Sequence, residues 1–249
     1  IFIGTIPKNI ATDNAWSTAV GIRALQNLTT GYNNTAIGFD AMLKNSNGTH
    51  NTAIGGGSLE QNINGNYNVA SGIAALQNNI NGENNTANGT GSLRFNTSGN
   101  NNSAFGYGAL EKNTTGEGNV SFGFRAGDSI KVGYGNITIG FRAGDSITVG
   151  DSNVIIGSEA DISTGTGKNQ IVIGAGAKGM GDSTVVIGNK DTIQKTYLRG
   201  QINIFDHGKR NNIALGTSTL DNNTQGKNNV AVGDLSLIHI SEPTRLTCI

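Results

Sequence analysis

The sequence predicts an all-β protein, a β-solenoid with coils of about 17 residues. Three observations predict this fold class. A glycine recurs every 17 residues, β-branched residues precede many of those glycines, and the composition suits a thin core better than a thick one. A fixed period over many units is typical of solenoids, in which each repeat contacts only its neighbours.

The glycine period is the strongest of the three observations. One row of glycines keeps a spacing of 17 from Gly4 to Gly174, and the next interval, to Gly188, is 14. After an irregular stretch the spacing of 17 returns between Gly216 and Gly233. Chance does not maintain such a period over so many units, so the repeat is a property of the fold.

The period divides the chain into four segments. We expect a repeat array over residues 1–188, an irregular interruption or neck-like segment over 189–207, further coils over 208–233, and a non-native tail over 234–249. The tail contains LSLIHISEPTR, which resembles a translated sequencing adapter. The alternative is a genuine last strand, because DLSL resembles the GSL and GAL phrases upstream.

Each unit predicts two short parallel strands joined by tight turns. The first half ends in a β-branched run before glycine, such as Asn153–Ile156, and such residues favour extended backbone. The second half places a small residue before Leu or Met, as in Ala75 and Leu76, and then an Asn- and Gly-rich turn. Seventeen residues are too few for a strand and a full helix, so we expect two strands per coil.

Asparagine stands directly before most of the predicted strands, and stacking would bring these side chains into one column. The column comprises Asn34, Asn51, Asn68, Asn85, Asn102, Asn119, Asn136 and Asn153. Neighbouring strands lie about 4.8 Å apart, so we expect hydrogen bonds from amide to amide along the axis. The alternative is a row of ligands for glycans or ions.

The later strands are apolar on both faces, which predicts a partner chain. Ile37 and Ile139 share one face, whereas Ala36 and Ile155 point the opposite way. One face fills the inside of the coil and the other needs a partner, and we expect Ile155 at the interface between subunits. A homotrimer is the simplest assembly with a central axis.

Few residues suit catalysis or metal binding, so we expect no enzyme, no catalytic residue, no cofactor and no metal site. His50 lies in a predicted turn and His207 in a polar loop, and neither has a Cys or Glu partner at metal-ligand spacing. Asp128 and Asp145 recur one coil apart and leave a calcium site open as an alternative. An arginine three residues before each of them offers a simpler charge balance.

The composition argues against several classes of protein. Charged residues are 14% of the chain and the net charge is zero, which argues against a nucleic-acid-binding arm. No run of 18 apolar residues exists, so we expect no membrane insertion. With 35% hydrophobic residues and only 2 prolines, the chain suits a thin repetitive core better than a disordered segment.

The repeated phrases NTAIG, NVIIG, QIVIG and NNVAVG resemble the NSVAIG-type motif of YadA-like heads in trimeric autotransporter adhesins. The longer phrase NTAIGxxALxxNTTG also resembles repeats of phage tail-fibre-like and bacterial surface proteins. This resemblance covers residues 1–233. It implies a left-handed parallel β-roll, three chains about one axis, and a location on the cell surface (anchored in the outer membrane) or in a virion tail fibre. The adhesin repeat is shorter than 17 residues, and only the 14-residue step from Gly174 to Gly188 matches it.

These features favour a structural and adhesive fibre segment that presents repeated binding edges to a host-surface glycan or matrix protein by multivalency. An ice- or mineral-binding solenoid is the first alternative, because Thr35, Thr52 and Thr86 form a threonine row that Val69 and Ser103 interrupt. A β-helical polysaccharide-active enzyme is a further alternative. It would need acidic and basic residues clustered on one face.

Overall fold

The computed structural model describes residues 2–4, 16–189, 213–215 and 230–233. The chain divides into two compact units, Ile1–Thr196 and Tyr197–Ile249. Strands are the only regular secondary structure among the described residues, which contain no helix. The fold class predicted from the sequence, all-β, is therefore confirmed.

The described residues of the first unit contain twelve strands, each three or four residues long. They are β1 (Phe2–Gly4), β2 (Thr18–Gly21), β3 (Thr35–Ile37), β4 (Thr52–Ile54), β5 (Val69–Ser71), β6 (Thr86–Asn88), β7 (Ser103–Phe105), β8 (Val120–Phe122), β9 (Ile137–Ile139), β10 (Val154–Ile156), β11 (Ile171–Ile173) and β12 (Val185–Ile187).

These strands form one parallel sheet in which every strand pairs with the next one along the chain. Paired residues are 17 apart through most of the sheet, as where Ala36 lies opposite Ala53. The last step, from Val172 to Val186, is 14 residues. The sheet is the wall of a parallel β-solenoid, and its step matches the glycine period read from the sequence.

The expectation of two strands per coil is wrong. Each coil has one strand, and its second half is a series of turns. Residues in that half adopt the left-handed conformation, including Ala74 at a φ of 56° and Leu76 at a φ of 50°, whereas a strand requires negative φ. The second half still bonds to the next coil, because the Leu76 amide donates to the Ser92 carbonyl at 3.0 Å.

Two columns of apolar side chains fill the inside of the coil. From β2 to β11 the second residue of each strand points inward and is usually alanine, such as Ala70, and the second column is the leucine of the turn half, such as Leu76. Both residues are completely buried. The inward strand residue is small in these coils because the leucine column occupies the remaining space.

The expectation that Ile155 lies at a subunit interface is wrong. Ile155 is the middle residue of β10, and its exposed fraction is 0%. It belongs to the inward column that Ala36 and Ala53 occupy in earlier coils. The first and third residues of strands β2 to β12, including Ile37 and Ile139, face outward instead.

The predicted asparagine column exists and is a hydrogen-bonded ladder. Asn85 Nδ2 donates to Asn68 Oδ1 at 3.1 Å and to the Gly99 carbonyl at 2.8 Å. The same amide-to-amide bond recurs up to Asn153, whose Nδ2 donates to Asn136 Oδ1 at 3.0 Å. The column is buried throughout, so its amides serve the fold and are closed to an external ligand.

A second buried ladder, which the sequence analysis did not predict, runs through the turn half of the coil. Its members are Asn45, Asn62, Asn79, Asn96 and Asn113. Asn79 Nδ2, for example, donates to Asn62 Oδ1 at 2.8 Å and to the Gly82 carbonyl at 2.9 Å. Its sequence signal is an asparagine three residues after the inner Leu or Met in five successive coils, from Met42 to Leu110.

The interior is repacked in the coils that follow Gly123. Gly127 and Gly144 replace the inner leucine, and Ile130 and Ile147 replace the asparagine of the second ladder. Both isoleucines are fully buried and refill the space that the leucines leave. The ladder therefore ends at Asn113, whose Oδ1 is the one buried side-chain acceptor without a partner among the described residues.

Glycine follows these strands for two physical reasons. Gly72 has a φ of 136°, a conformation that residues with a side chain rarely adopt. A Cβ at this position would also lie 2.6 Å from the carbonyl carbon of Gly89 in the next coil. The 17-residue period is thus imposed by the turn and by the close approach of successive coils.

The second unit contains two described strands, β13 (Ile213–Leu215) and β14 (Val230–Val232). They pair in parallel with Ile213 opposite Val230, a separation of 17 residues. The predicted interruption after Asn189 and the predicted tail over 234–249 lie outside the described residues, so both stay predictions.

Candidate functional site

The outward residues of the sheet form one long uncharged surface. We name the first and third residues of strands β2 to β12 the outer sheet face, and none of them is Lys, Arg, Asp or Glu. Large apolar members are strongly exposed, with Ile54 at 44%, Phe122 at 54% and Ile187 at 52%. The apolar part of such a surface gains free energy when another surface covers it.

The chemistry of the outer sheet face changes along the axis. Near its start, Thr35 and Thr52 are in register on neighbouring strands. Further along, Phe105 and Phe122 stack with their ring centroids 4.8 Å apart and an angle of 20° between the rings. Valine, isoleucine and phenylalanine supply the outward positions from β8 to β12.

A second aromatic column borders the same face, just beyond the strand-ending glycines. Tyr107 stacks on Phe124 at 5.2 Å, and Phe124 stacks on Phe141 at 5.4 Å. A shallow groove separates this column from Phe105 and Phe122, and glycines form its floor. The aromatic rings widen the apolar surface, and stacked pairs of this kind are stable arrangements.

A different groove lies on the turn half of the coil, about half a coil away along the chain. We name it the side groove and define it by Lys44, Gln61, Ile63, Asn78, Ile80, Phe95, Thr97 and Thr114. Its volume is about 600 Å³. Phe95, Ile80 and Ile63 are exposed there by 42%, 38% and 37%. The side groove therefore combines apolar surface with amides, hydroxyls and one cation.

His50 lies exposed in a bend, where the sequence analysis placed it. Its ring stacks on Tyr67 with centroids 4.9 Å apart and meets the edge of Tyr32 at 5.4 Å. Its Nε2 lies 3.0 Å from Asn33 Nδ2. These neighbours hold the ring in place and bring no carboxylate or thiol to it. His207 lies outside the described residues.

Asp128 and Asp145 are each paired with an arginine of the same coil. Arg125 lies 2.7 Å from Asp128, and Arg142 lies 2.7 Å from Asp145. The hydrogen bond from Arg125 to Asp128, together with the charge of that carboxylate, raises the pKa of the guanidinium. No group of three or more His, Cys, Asp or Glu suited to a metal ion occurs in the described part of the chain.

Another ion pair joins two coils on the turn side. Lys168 Nζ lies 2.8 Å from Asp151 Oδ2. The hydrogen bond to Asp151 and then its negative charge raise the pKa of Lys168. Because the lysine is exposed, water screens this pair and its contribution to stability is small.

No protein-family model matches the sequence, and no curated protein sequence matches it significantly. Within the described residues, no helix has the length and apolar character needed to cross a bilayer. The function is therefore inferred from the solenoid and its two exposed surfaces.

Proposed function

We propose that this chain is a structural and adhesive fibre segment at a cell or virion surface, and that it works as a homotrimer. The observation that carries the proposal is the outer sheet face, which is uncharged over eleven successive strands. Three copies that turn this face toward a common axis would cover it and leave the turn halves of the coils exposed to ligands.

The size of the face supports such an assembly. Eleven strands at about 4.8 Å spacing extend over about 50 Å. Together with the aromatic column beyond the glycines, the face is about 15 Å wide, so its area is roughly 750 Å² per chain. Each partner in a standard protein–protein interface contributes roughly 800 Å², which is close to this area. Burial of exposed groups such as Phe122 and Ile187 would supply the favourable free energy.

Adhesion would follow from the presence of several identical chains in one fibre. Each chain displays the same side surfaces, so weak contacts made by separate chains add through a high effective concentration. The partner would be a glycan or a matrix protein on the surface of a host. The resemblance of NTAIG-type phrases to adhesin heads and tail-fibre-like repeats supports this class of function.

The test is the mass of the full chain in solution, compared between matched variants. The chain has a mass of 25.7 kDa, and sedimentation equilibrium should give three times that value. Ile139→Asp, in β9, places a charge within the wholly apolar part of the outer sheet face and should dissociate the trimer. Val132→Asp, at an exposed aliphatic residue (49%) of the turn half, should leave the mass unchanged. A wild-type chain that is folded and monomeric at micromolar concentration would refute the proposal.

An ice-binding solenoid is the second candidate, and one observation favours it. Thr18, Thr35 and Thr52 are in register on the outward side of three neighbouring strands. Val69 interrupts the row at the next strand. Thermal hysteresis of the full chain would establish this function, and Thr35→Leu should then abolish most of it.

A further inference from the structure

We infer that the side groove binds a neutral, extended oligosaccharide. This inference rests on the proposed adhesive function and names the ligand class that the fibre would hold. Each wall of the groove crosses four successive coils, from Lys44 to Phe95 on one side and from Ile63 to Thr114 on the other. Three coil steps correspond to about 15 Å, which suits a chain of a few sugar rings.

The amides of one wall leave acceptors for ligand hydroxyl groups. Gln61 Nε2 donates to Glu60 at 2.8 Å, and Asn78 Nδ2 donates to the Arg94 carbonyl at 3.1 Å. In the described part of the chain, no hydrogen bond reaches Gln61 Oε1 or Asn78 Oδ1. Each amide is thus held by its nitrogen, and its oxygen is free to accept a hydrogen bond from a hydroxyl.

The apolar part of the groove suits the C–H faces of sugar rings. Phe95 is 42% exposed, and the guanidinium of Arg94 lies over its ring, 5.2 Å from the centroid, which is within cation–π distance. Ile63 and Ile80 lie in the opposite wall. Apolar and aromatic side chains with a few fixed polar groups are the usual lining of small-molecule sites.

The backbone of the groove excludes an extended peptide as the favoured ligand. Such peptides bind by adding a strand to free backbone groups. Here the backbone amides of both walls already bond to the next coil, as from Asn78 to Arg94 at 3.0 Å and from Ile80 to Thr97 at 2.9 Å. The groups left for recognition are side chains, which favours a ligand rich in hydroxyls.

The charge of the groove favours a neutral ligand. Lys44 is the single charged residue of the lining. Beside the lining, the Arg94 cation over Phe95 is offset by the Glu60 carboxylate that holds Gln61. A polyanion such as a nucleic acid is held by several cations along its backbone. One lysine therefore suits a neutral sugar chain whose hydroxyl it can contact as a hydrogen-bond donor.

The test is a titration of the full chain with neutral hexasaccharides of glucose and of N-acetylglucosamine, followed by calorimetry. We expect saturable binding of at least one of them. Phe95→Ala should weaken it about tenfold, and Asn78→Ala should weaken it severalfold, because both remove direct contacts. Tyr67→Ala removes an aromatic residue of similar exposure (55%) outside the groove and should leave the affinity unchanged.

Three results would overturn the inference. The first is that neither hexasaccharide binds at millimolar concentration. The second is that the wild type and Phe95→Ala bind with equal affinity. The third is that a sulfated oligosaccharide or an extended peptide binds more tightly than both neutral sugars. Circular dichroism checks that each variant is folded. Sedimentation of the same samples separates the two ideas, since a trimer that binds no sugar refutes this inference and leaves the proposed fibre intact.

Discussion

The buried asparagine ladder can be tested by removing one of its members. Asn85→Ala deletes an amide that is fully buried in the middle of the column. Asn85 Oδ1 accepts hydrogen bonds from the backbone amide of Asn102 at 3.0 Å and from Asn102 Nδ2 at 3.2 Å. Its Nδ2 donates to Asn68 and to Gly99. We expect the free energy of unfolding to fall by about 2–5 kcal/mol.

The magnitude follows from which groups lose their last partner. The Gly99 carbonyl keeps a bond from Asn96 Nδ2 at 3.0 Å, and Asn102 Nδ2 keeps the Gly116 carbonyl at 2.8 Å. The backbone amide of Asn102 is left buried without an acceptor, which costs about 1–3 kcal/mol. The remaining lost bonds and the small cavity contribute about 1–2 kcal/mol more.

The measurement is urea unfolding followed by circular dichroism, at one fixed protein concentration because association changes apparent stability. Asn81→Ala is the matched control. Asn81 is exposed and accepts one hydrogen bond, from Asn64 Nδ2 at 2.9 Å. Its loss should cost less than about 0.5 kcal/mol, as is usual for surface substitutions. Equal effects of the two variants would refute the buried ladder as a source of stability.

Asn85→Asp provides a second readout from the same site. A carboxylate oxygen would replace the Nδ2 that lies 2.8 Å from the Gly99 carbonyl, so two acceptors would face each other. Burial and these acceptors raise the pKa of such a carboxyl above its unfolded value, so the variant should regain stability as the pH falls. A stability deficit that does not change with pH would contradict this reasoning.

Three further predictions concern the backbone, the interior and the surface. Ala74 has a φ of 56°, and Gly91, at the equivalent position one coil later, has a φ of 69° with open space around it. Because a positive φ strains alanine but not glycine, Ala74→Gly should raise the free energy of unfolding and Gly91→Ala should lower it, each by about 0.5–1 kcal/mol in urea unfolding. Ile155→Asp buries a charge inside the coil and should cost about 4 kcal/mol or more, seen as an early loss of the strand signal on heating. Asp151 raises the pKa of Lys168 in the folded chain, so the ion pair should stabilise the fold fully below the ordinary lysine pKa of 10.5. This stabilisation should be lost as the pH rises through the raised pKa of the folded state. Unfolding of the wild type and of Lys168→Met across this pH range would measure the effect.

The sequence was sufficient to predict the solenoid because glycine has two separate duties once in every coil. Gly72 must adopt a positive φ, and it must also admit the carbonyl of Gly89. Both constraints recur with the coil, so they appear in the sequence as an unbroken period. The column from Asn34 to Asn153 was predictable for the same reason, since each member bonds to the member one coil away.

The side of the strand that faces inward could not be predicted from alternation alone. Alternation shows that Ala36 and Ile37 point to opposite sides, but both small and large residues can line a core. The deciding fact is the leucine column, which fills the coil from the turn half and leaves room for alanine at most positions. Leu76 itself has a φ of 50°. Leucine seldom adopts a positive φ, so the sequence alone indicates an extended conformation here and predicts a second strand where the structure has turns.

The inside and the outside of the coil follow different rules, and this difference bears on how the fibre would bind. Inside, a change in one column is compensated in another, as where Gly127 replaces leucine and Ile130 refills the space. Outside, the position after the strand-ending glycine is Phe39, Gly56 and Ile73 in successive coils, so the surface chemistry is not repeated. Phe95, the aromatic residue of the side groove, likewise has Asn78 and Lys112 as its equivalents one coil away, so the chemistry of the groove is not repeated in the neighbouring coils. In the proposed fibre, multivalency through this groove would therefore come from the number of chains that assemble and not from the number of coils.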